Sequence, residues 1–91
     1  MKKKGWRDFI GLCRHASSDD ELHALLKLLL TIDEQEQLAT RVELLRALLK
    51  GDKPQRTIAE ELKISIAKIT RGSNALKTIS PSLRHYLVKE L

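Results

Sequence analysis

The chain has 91 residues, a single cysteine and a formal net charge of +5 at pH 7. This length permits one small domain, and a lone cysteine excludes a disulfide-stapled scaffold, so we expect a protein of the reducing cytoplasm. No stretch approaches the roughly 20 apolar residues of a membrane span. The basic start "MKKKGWRDFIGL" is broken by further charges and is a poor signal peptide.

The basic excess is concentrated in the second half of the chain. Residues 1–50 carry 9 basic and 8 acidic groups, net +1, whereas residues 51–91 carry 8 basic and 4 acidic groups, net +4. A basic surface indicates a polyanionic partner such as nucleic acid. Charged residues that only keep the protein soluble explain a basic excess of this size equally well.

Apolar residues recur at spacings of three and four, which predicts an all-α protein of about six helices. Ser18 and Thr31 are each followed three residues later by glutamate, a capping-box spacing that begins a second and a third helix. We expect these helices to extend through about Leu30 and to Lys50. The first helix precedes them and carries the amphipathic stripe Trp6, Phe9, Ile10 and Cys13.

Three further helices are predicted after the stop signal at Gly51. Pro54 suits the first turn of a fourth helix that ends near Leu62. Ser65 can cap a fifth helix through about Lys77, and the Ser80–Pro81 pair begins a last helix that continues to the C-terminus. The predicted core stripe of the third helix is Leu38, Val42, Leu45 and Leu49.

The second helix, "ELHALLKLLL", is apolar around most of its circumference. Such a helix must be buried on several sides, and one small chain supplies too few partners. We therefore expect an obligate homodimer whose N-terminal helices interlock.

Residues 55–71, "QRTIAEELKISIAKITR", fit a helix-turn-helix pattern. Ala59 is small where the two helices cross, and Ile64 fills the turn. Lys63 occupies the turn position that often takes glycine because the backbone there can require a positive φ. An ordinary αα-hairpin produces much the same apolar pattern, so this alternative stays open.

In a helix-turn-helix the second helix enters the major groove with its N-terminal residues toward base edges. Helical geometry places Ile66, Ile69 and Ser73 toward the core, and Ala67 and Asn74 outward. Each lysine taken alone is equally well a solvated charge. The candidate DNA-contacting residues are Gln55, Arg56, Ile66, Ala67, Lys68, Thr70, Ser73, Asn74 and Lys77.

Glycine interrupts the fifth helix in the stretch "KITRGSNALK", at a cost of roughly 1 kcal/mol relative to alanine. The absence of a side chain at Gly72 leaves room either for a flat ligand or for a closely packed helix. The sequence pattern by itself does not separate these two interpretations.

Three segments, "TRV" at 40–42, "QR" at 55–56 and above all "ITRGSNALK" at 69–77, resemble the Trp repressor family of bacteria. The resemblance implies an intertwined all-α homodimer that binds L-tryptophan as corepressor and then the double-stranded DNA operators of tryptophan-related genes. It also implies one domain over 1–91, with dimerisation helices in 1–50, a helix-turn-helix in 54–77 and a C-terminal helix in 81–91.

The resemblance assigns the ligand site residue by residue. Arg41 and Arg71 match the pair that encloses the indole ring, and Gly72 matches the glycine against which the ring lies. Thr31 matches a residue that lines the pocket. The backbone carbonyls that receive the ligand's ammonium match Leu28 and Leu30.

Each of these residues also has a plainer interpretation. Thr31 is a good helix N-cap, Arg41 can form a surface ion pair with a neighbouring glutamate, and Gly72 can serve close helix packing.

Two positions depart from the family pattern. Ala75 stands where the best-known members carry a serine whose hydroxyl helps to hold the ligand's ammonium, and Lys68 stands where the family often has threonine. These departures motivate an alternative, a helix-turn-helix regulator of the same fold with a lost or altered ligand. A helical protein-interaction module is a second alternative.

The pattern lacks a nucleophile–base pair and a phosphate loop, so we expect no enzyme. Cys13 and His15 are two residues apart and diverge on a helix, so we expect no metal site. We expect no cofactor other than L-tryptophan as corepressor.

Overall fold

The computed structural model describes all 91 residues, and its regular structure is entirely helical. This confirms the predicted all-α class with six helices. In chain order they are α1 (Lys3–Arg14), α2 (Asp19–Leu29), α3 (Ile32–Lys50), α4 (Gln55–Leu62), α5 (Ile66–Lys77) and α6 (Pro81–Glu90). The chain divides into two compact units, residues 1–36 and 37–91.

The helix starts are set by local hydrogen bonds that the sequence predicts. The Thr31 hydroxyl accepts from the Glu34 N–H at 3.1 Å, and the Glu34 carboxylate accepts from the Thr31 N–H at 2.9 Å, a complete capping box. Ser65 and Ser80 cap α5 and α6 through their hydroxyl oxygens. Each cap satisfies an N–H group that a helix leaves without an intrahelical partner.

The start of α2 differs from a complete capping box. Ser18 accepts from the Glu21 N–H as predicted, but the Glu21 carboxylate accepts from the N–H and the hydroxyl of Ser17. These two hydrogen bonds stabilise the ionised carboxylate and lower the pKa of Glu21.

The core of the second unit is formed where α3, α4 and α5 meet. Its buried side chains are Leu44 from α3, Ile58 from α4 and Ile69 from α5. Partly buried apolar residues pack around them: Ala47, Leu48, Ala59, Leu62 and Ile64. Helices α4 and α5 pack directly on each other, and both Ala59 and Ile64 pack against this core, while their roles in a helix-turn-helix remain a prediction.

The turn between α4 and α5 contains a left-handed residue. Lys63 has φ 56° and ψ 46°, and no other residue except glycine has a positive φ. The Ile64 N–H donates to the Ala59 carbonyl at 3.1 Å and closes the end of α4. The structure confirms that this position requires the conformation that favours glycine.

The predicted core stripe of α3 is wrong for Leu38 and Val42, whereas its other two members, Leu45 and Leu49, are half-buried. Leu38 and Val42 are 44% and 41% exposed, whereas Leu44 faces the core at 6%. Helix α3 has two apolar faces roughly a quarter-turn apart, and α4 and α5 pack on the one that carries Leu44 and Leu48. The predicted stripe is therefore left largely uncovered within a single chain.

The predicted burial of Ile66 is also wrong. Ile66 is 50% exposed, while Ile69 on the next turn is fully buried. As the first residue of α5, Ile66 lies at the edge of the core, where the neighbouring helices offer no surface to cover it.

The first unit has no buried side chain. The rings of Trp6 and Phe9 pack with their centroids 5.5 Å apart, but Trp6 remains more than half exposed. In α2, Leu28 is 81% exposed and none of the leucines is buried. None of the six helices combines the length and apolar character needed to cross a membrane.

We predict that Lys63→Gly stabilises the fold by about 0.5–1 kcal/mol, because glycine adopts the left-handed conformation without steric cost. The measurement is the free energy of unfolding in urea at fixed protein concentration. The matched control is Glu60→Gly in α4, which should destabilise by about 1 kcal/mol because that position is helical. Loss of stability in both variants would contradict the prediction.

Candidate nucleic-acid interface

The outward face of α5 is a continuous exposed surface without acidic groups. Between Glu61 and Glu90 the chain has six basic residues and no acidic residue. All six are exposed, and none forms an ion pair: Lys63, Lys68, Arg71, Lys77, Arg84 and Lys89. Three of them are on α5, Lys63 is in the turn before it, and the other two are on α6, so α5 and its flanking segments present unpaired positive charge to solvent.

The predicted DNA-contacting residues lie mostly on this face. All of them are exposed except Ser73, which is half-buried as its predicted inward direction requires. Gln55 and Arg56 begin α4, and Ile66, Ala67 and Lys68 form the first turn of α5. The structure thus brings the two helix N-termini and the outer side of α5 into one unit, while DNA contact by these residues remains a prediction.

The opposite side of α4 has a different electrostatic character, because its charges are paired. A shallow cleft of about 170 Å³ between α3 and α4 is lined by Arg46 with Glu43, Lys50 with Asp52, and Lys53 with Glu61. Lys53 donates to Glu61 at 2.8 Å, and this hydrogen bond and the attraction of the carboxylate raise the pKa of Lys53. Positive charge is therefore neutralised on this face and left uncompensated along α5.

Gly72 of α5 lies close against two leucine side chains of α3. A Cβ atom at this position would lie 2.9 Å from Leu44 Cδ2 and 3.5 Å from Leu48 Cδ1. A contact of 2.9 Å is shorter than packed carbon atoms tolerate. The interpretation of Gly72 as a close-packing glycine therefore has direct geometric support, and its role against a ligand ring remains a prediction.

Both predicted ligand-binding arginines lie within one turn, along their own helices, of this close approach. Arg41 precedes Leu44 by three residues, less than one turn of α3, and Arg71 is adjacent to Gly72 on α5. Both guanidinium groups are on exposed residues and neither forms an ion pair. The alternative in which Arg41 pairs with a neighbouring glutamate is not observed.

The remaining predicted ligand-binding residues lie in the first unit. Leu28 is in the last turn of α2 and Leu30 is its C-cap, so their carbonyls are among those that a helix end leaves without intrahelical partners. The Leu30 carbonyl accepts from Gln35 Nε2 at 3.1 Å and retains a second lone pair. The Thr31 hydroxyl serves as an N-cap, which confirms its plainer interpretation.

Sequence reasoning missed one contact that holds the end of α5. Arg84 Nη2, from α6, donates to the Leu76 carbonyl at 2.6 Å. The positive charge also lies at the negative end of the α5 dipole. No local pattern predicts this bond, because the two residues are eight positions apart and belong to different helices.

Comparison with known proteins agrees with this arrangement. The family described as "Trp repressor protein" matches residues 4–91. The chain belongs to the Trp repressor family. This confirms the resemblance drawn from "ITRGSNALK", and places the chain in a family of regulators that are not enzymes.

Individual relatives of the Trp repressor family match over most of their length. A "Trp operon repressor homolog" of Chlamydia trachomatis serovar D is 42% identical over 91 residues, covering 100% of this chain and 97% of the relative. The chain is also similar to two proteins with the same description. The one from Photobacterium profundum is 42% identical and covers 94% of this chain and 84% of the relative. The one from Vibrio campbellii is 44% identical and covers 85% of this chain and 77% of the relative.

The short distance to Leu44 predicts coupling between Gly72 and that leucine. Gly72→Ala alone gains about 1 kcal/mol of helix propensity but must displace Leu44 Cδ2, so we expect no net gain or a loss of stability. In a Leu44→Val background the obstructing methyl group is moved away, and the same change should become favourable by about 1 kcal/mol.

The measurement is a double-mutant cycle of unfolding free energies in urea. The matched control is Leu45→Val, since Leu45 lies beside Leu44 on α3 but does not approach Gly72. Additive effects for Gly72→Ala and Leu44→Val would contradict the close-packing role.

Proposed function

We propose that the protein is a homodimeric transcriptional repressor of the cytoplasm that binds double-stranded DNA when L-tryptophan is bound, at operators of tryptophan-related genes. The observation that carries this proposal is the exposed outer face of α5 together with its flanking segments, because residues 62–89 contain six exposed, unpaired cations and no acidic residue. Membership of the Trp repressor family supports the regulatory role.

The α4–α5 pair acts as the helix-turn-helix. Its two helices pack through Ile58, Ala59 and Ile69, and the left-handed Lys63 reverses the chain between them. In this motif the first helix crosses the DNA backbone and the N-terminal residues of the second helix contact base edges. Gln55 and Arg56 are then available to phosphates, and the exposed residues of the first turn of α5 are available to bases.

The two arginines at the α3–α5 crossing bind the tryptophan. A guanidinium plane stacks on an aromatic face and also pairs bidentately with a carboxylate, so Arg41 and Arg71 suit an aromatic amino acid. Neither arginine is engaged by an internal carboxylate. Gly72 keeps the crossing narrow, and we assign the pocket threonine to Thr31 and the ammonium-binding carbonyls to Leu28 and Leu30.

Ligand binding acts on DNA binding because α5 carries both sets of residues. Arg71 and Gly72 lie between the first turn of α5, which reads DNA, and its last turn, which Arg84 anchors. We propose that α5 has two placements, one of which binds DNA. L-tryptophan increases DNA affinity to the extent that it binds the DNA-competent placement more tightly than the other one. In helix-turn-helix dimers, the Trp repressor among them, the two reading helices must meet half-sites about 34 Å apart.

The exposed apolar surface supports the homodimer. The first unit buries none of its side chains, and the Leu38–Val42 stripe of α3 remains open in a single chain. Apolar surface of this extent is normally covered by a partner. An interlocked second copy covers both surfaces and also supplies the second reading helix that the operator spacing requires.

A second candidate is a regulator of the same fold with a lost or altered ligand. Ala75 favours it, because this exposed residue of α5 offers a methyl group where a hydroxyl would bind an ammonium. Titration calorimetry with L-tryptophan separates the two candidates: heat that saturates supports the tryptophan corepressor, and no heat at millimolar ligand supports the altered regulator.

We predict that L-tryptophan increases operator affinity by roughly 5- to 150-fold, the range of typical coupling between two sites. A duplex is first selected from a randomised library by the protein with L-tryptophan, and its affinity is then measured with and without the ligand. Arg71→Lys should abolish the increase, because lysine keeps the charge but loses the planar group.

The matched control for this prediction is Arg46→Lys, since Arg46 pairs with Glu43 on the opposite side of the unit. Its response to L-tryptophan should equal that of the unaltered protein. Equal DNA affinity with and without L-tryptophan would exclude the corepressor function.

We also predict a mass of twice the 10.4 kDa of one chain in sedimentation equilibrium. Val42→Lys should shift the protein toward the monomer, because it places a charge in the uncovered α3 stripe. Ile66→Lys is the matched control, as Ile66 is similarly exposed but lies on the DNA-reading face. A monomeric unaltered protein, or equal dissociation in both variants, would contradict the proposed interface.

A further inference from the structure

The first turn of α5 contains a single side chain that is free to reach a base with hydrogen-bond donors. Ser65 is held in the helix cap, where its hydroxyl oxygen accepts from the Lys68 N–H at 3.2 Å. Ile66 and Ala67 are apolar, and Ile69 is fully buried. Of the side chains of this turn, residues 66–69, only that of Lys68 carries hydrogen-bond donors.

The Lys68 side chain is available for such a contact. It is exposed and forms no ion pair. The nearest preceding carboxylate in the sequence, that of Glu61, is engaged by Lys53. The ammonium group thus enters the interface without first having to break an internal contact.

We infer that Lys68 is a specificity-determining residue that selects guanine in each half-site of the operator. An ammonium group has three donors and no acceptor. In the major groove guanine presents two adjacent acceptors, O6 and N7, whereas adenine and cytosine present an amino donor and thymine a single acceptor. Guanine is accordingly the base whose edge matches Lys68.

The location of Lys68 distinguishes it from the other exposed lysine of α5. Lys68 is the third residue of the helix, in the turn that approaches base edges in a helix-turn-helix, and Lys77 is the last. A cation at the far end of the reading helix contacts the phosphate backbone. Such a contact positions the protein on DNA but does not distinguish one base sequence from another. The inference rests on the proposed DNA-binding function of α5.

The test compares Lys68→Ala, Lys68→Gln and the matched control Lys77→Ala on duplexes selected by the unaltered protein with L-tryptophan. We expect the selected sites to contain a guanine that Lys68→Ala no longer distinguishes from the other bases, with roughly 5- to 150-fold weaker binding to the selected site. Lys68→Gln should prefer adenine at that position, because an amide pairs with adenine N6 and N7.

Lys77→Ala should weaken binding to all duplexes alike and reduce the slope of log affinity against log salt by about 1. If Lys68→Ala behaves in this way, or has no effect, Lys68 does not read a base and the inference is overturned while DNA binding stands. If the unaltered protein selects no duplex, the proposed function and the inference both fail. Circular dichroism of the variants checks that each one folds.

Discussion

The close approach of α5 to α3 at Gly72 is the contact on which the second unit depends. Leu44 Cδ2 is only 2.9 Å from where a Cβ would lie, so α5 packs this closely on α3 without displacing Leu44 because residue 72 lacks a side chain. The approach seals Ile69 from solvent and completes the small core with Ile58. A mid-helix glycine costs roughly 1 kcal/mol, which is comparable to what one buried methylene contributes, so the core offsets it.

This crossing also connects packing with the proposed function. Arg41 precedes Leu44 by three residues on α3 and Arg71 precedes Gly72 on α5, neither forms an ion pair, and the exposed first turn of α5 begins six residues before Gly72. The glycine that allows tight packing is thus beside the two residues assigned to the ligand. Close packing and ligand binding are compatible interpretations of Gly72, because the Cβ direction faces Leu44 while Arg71, the preceding residue of the helix, is exposed.

Electrostatic pairing divides the second unit into two surfaces. Lysines and arginines near the α3–α4 cleft are neutralised by Glu43, Asp52 and Glu61, whereas those from Lys63 onward form no ion pair in the structure. A net charge of +5 is therefore a poor description of what DNA would meet, since unpaired cations recur on α5, in the turn before it and on α6, with no acidic residue between Glu61 and Glu90. Such a field increases the rate of encounter with DNA and makes affinity depend on salt.

The sequence by itself determined the helices, because their boundaries depend on groups within a few residues of each other. These helix boundaries could be predicted with no knowledge of the fold, because the residues that set them act locally: Thr31 with Glu34, Gly51, the left-handed Lys63 and Ser65. The ligand-binding residues came from the resemblance carried by "ITRGSNALK", because no local rule connects Arg41 to Arg71.

Only the tertiary structure decided which apolar face of α3 is used, and it selected Leu44 and Leu48 over Leu38 and Val42. Both faces have the same periodicity, and the choice depends on where α4 and α5 pack. The same reason explains the exposure of Ile66 and the bond from Arg84 to the Leu76 carbonyl, since burial and long-range hydrogen bonds exist only after distant helices have met.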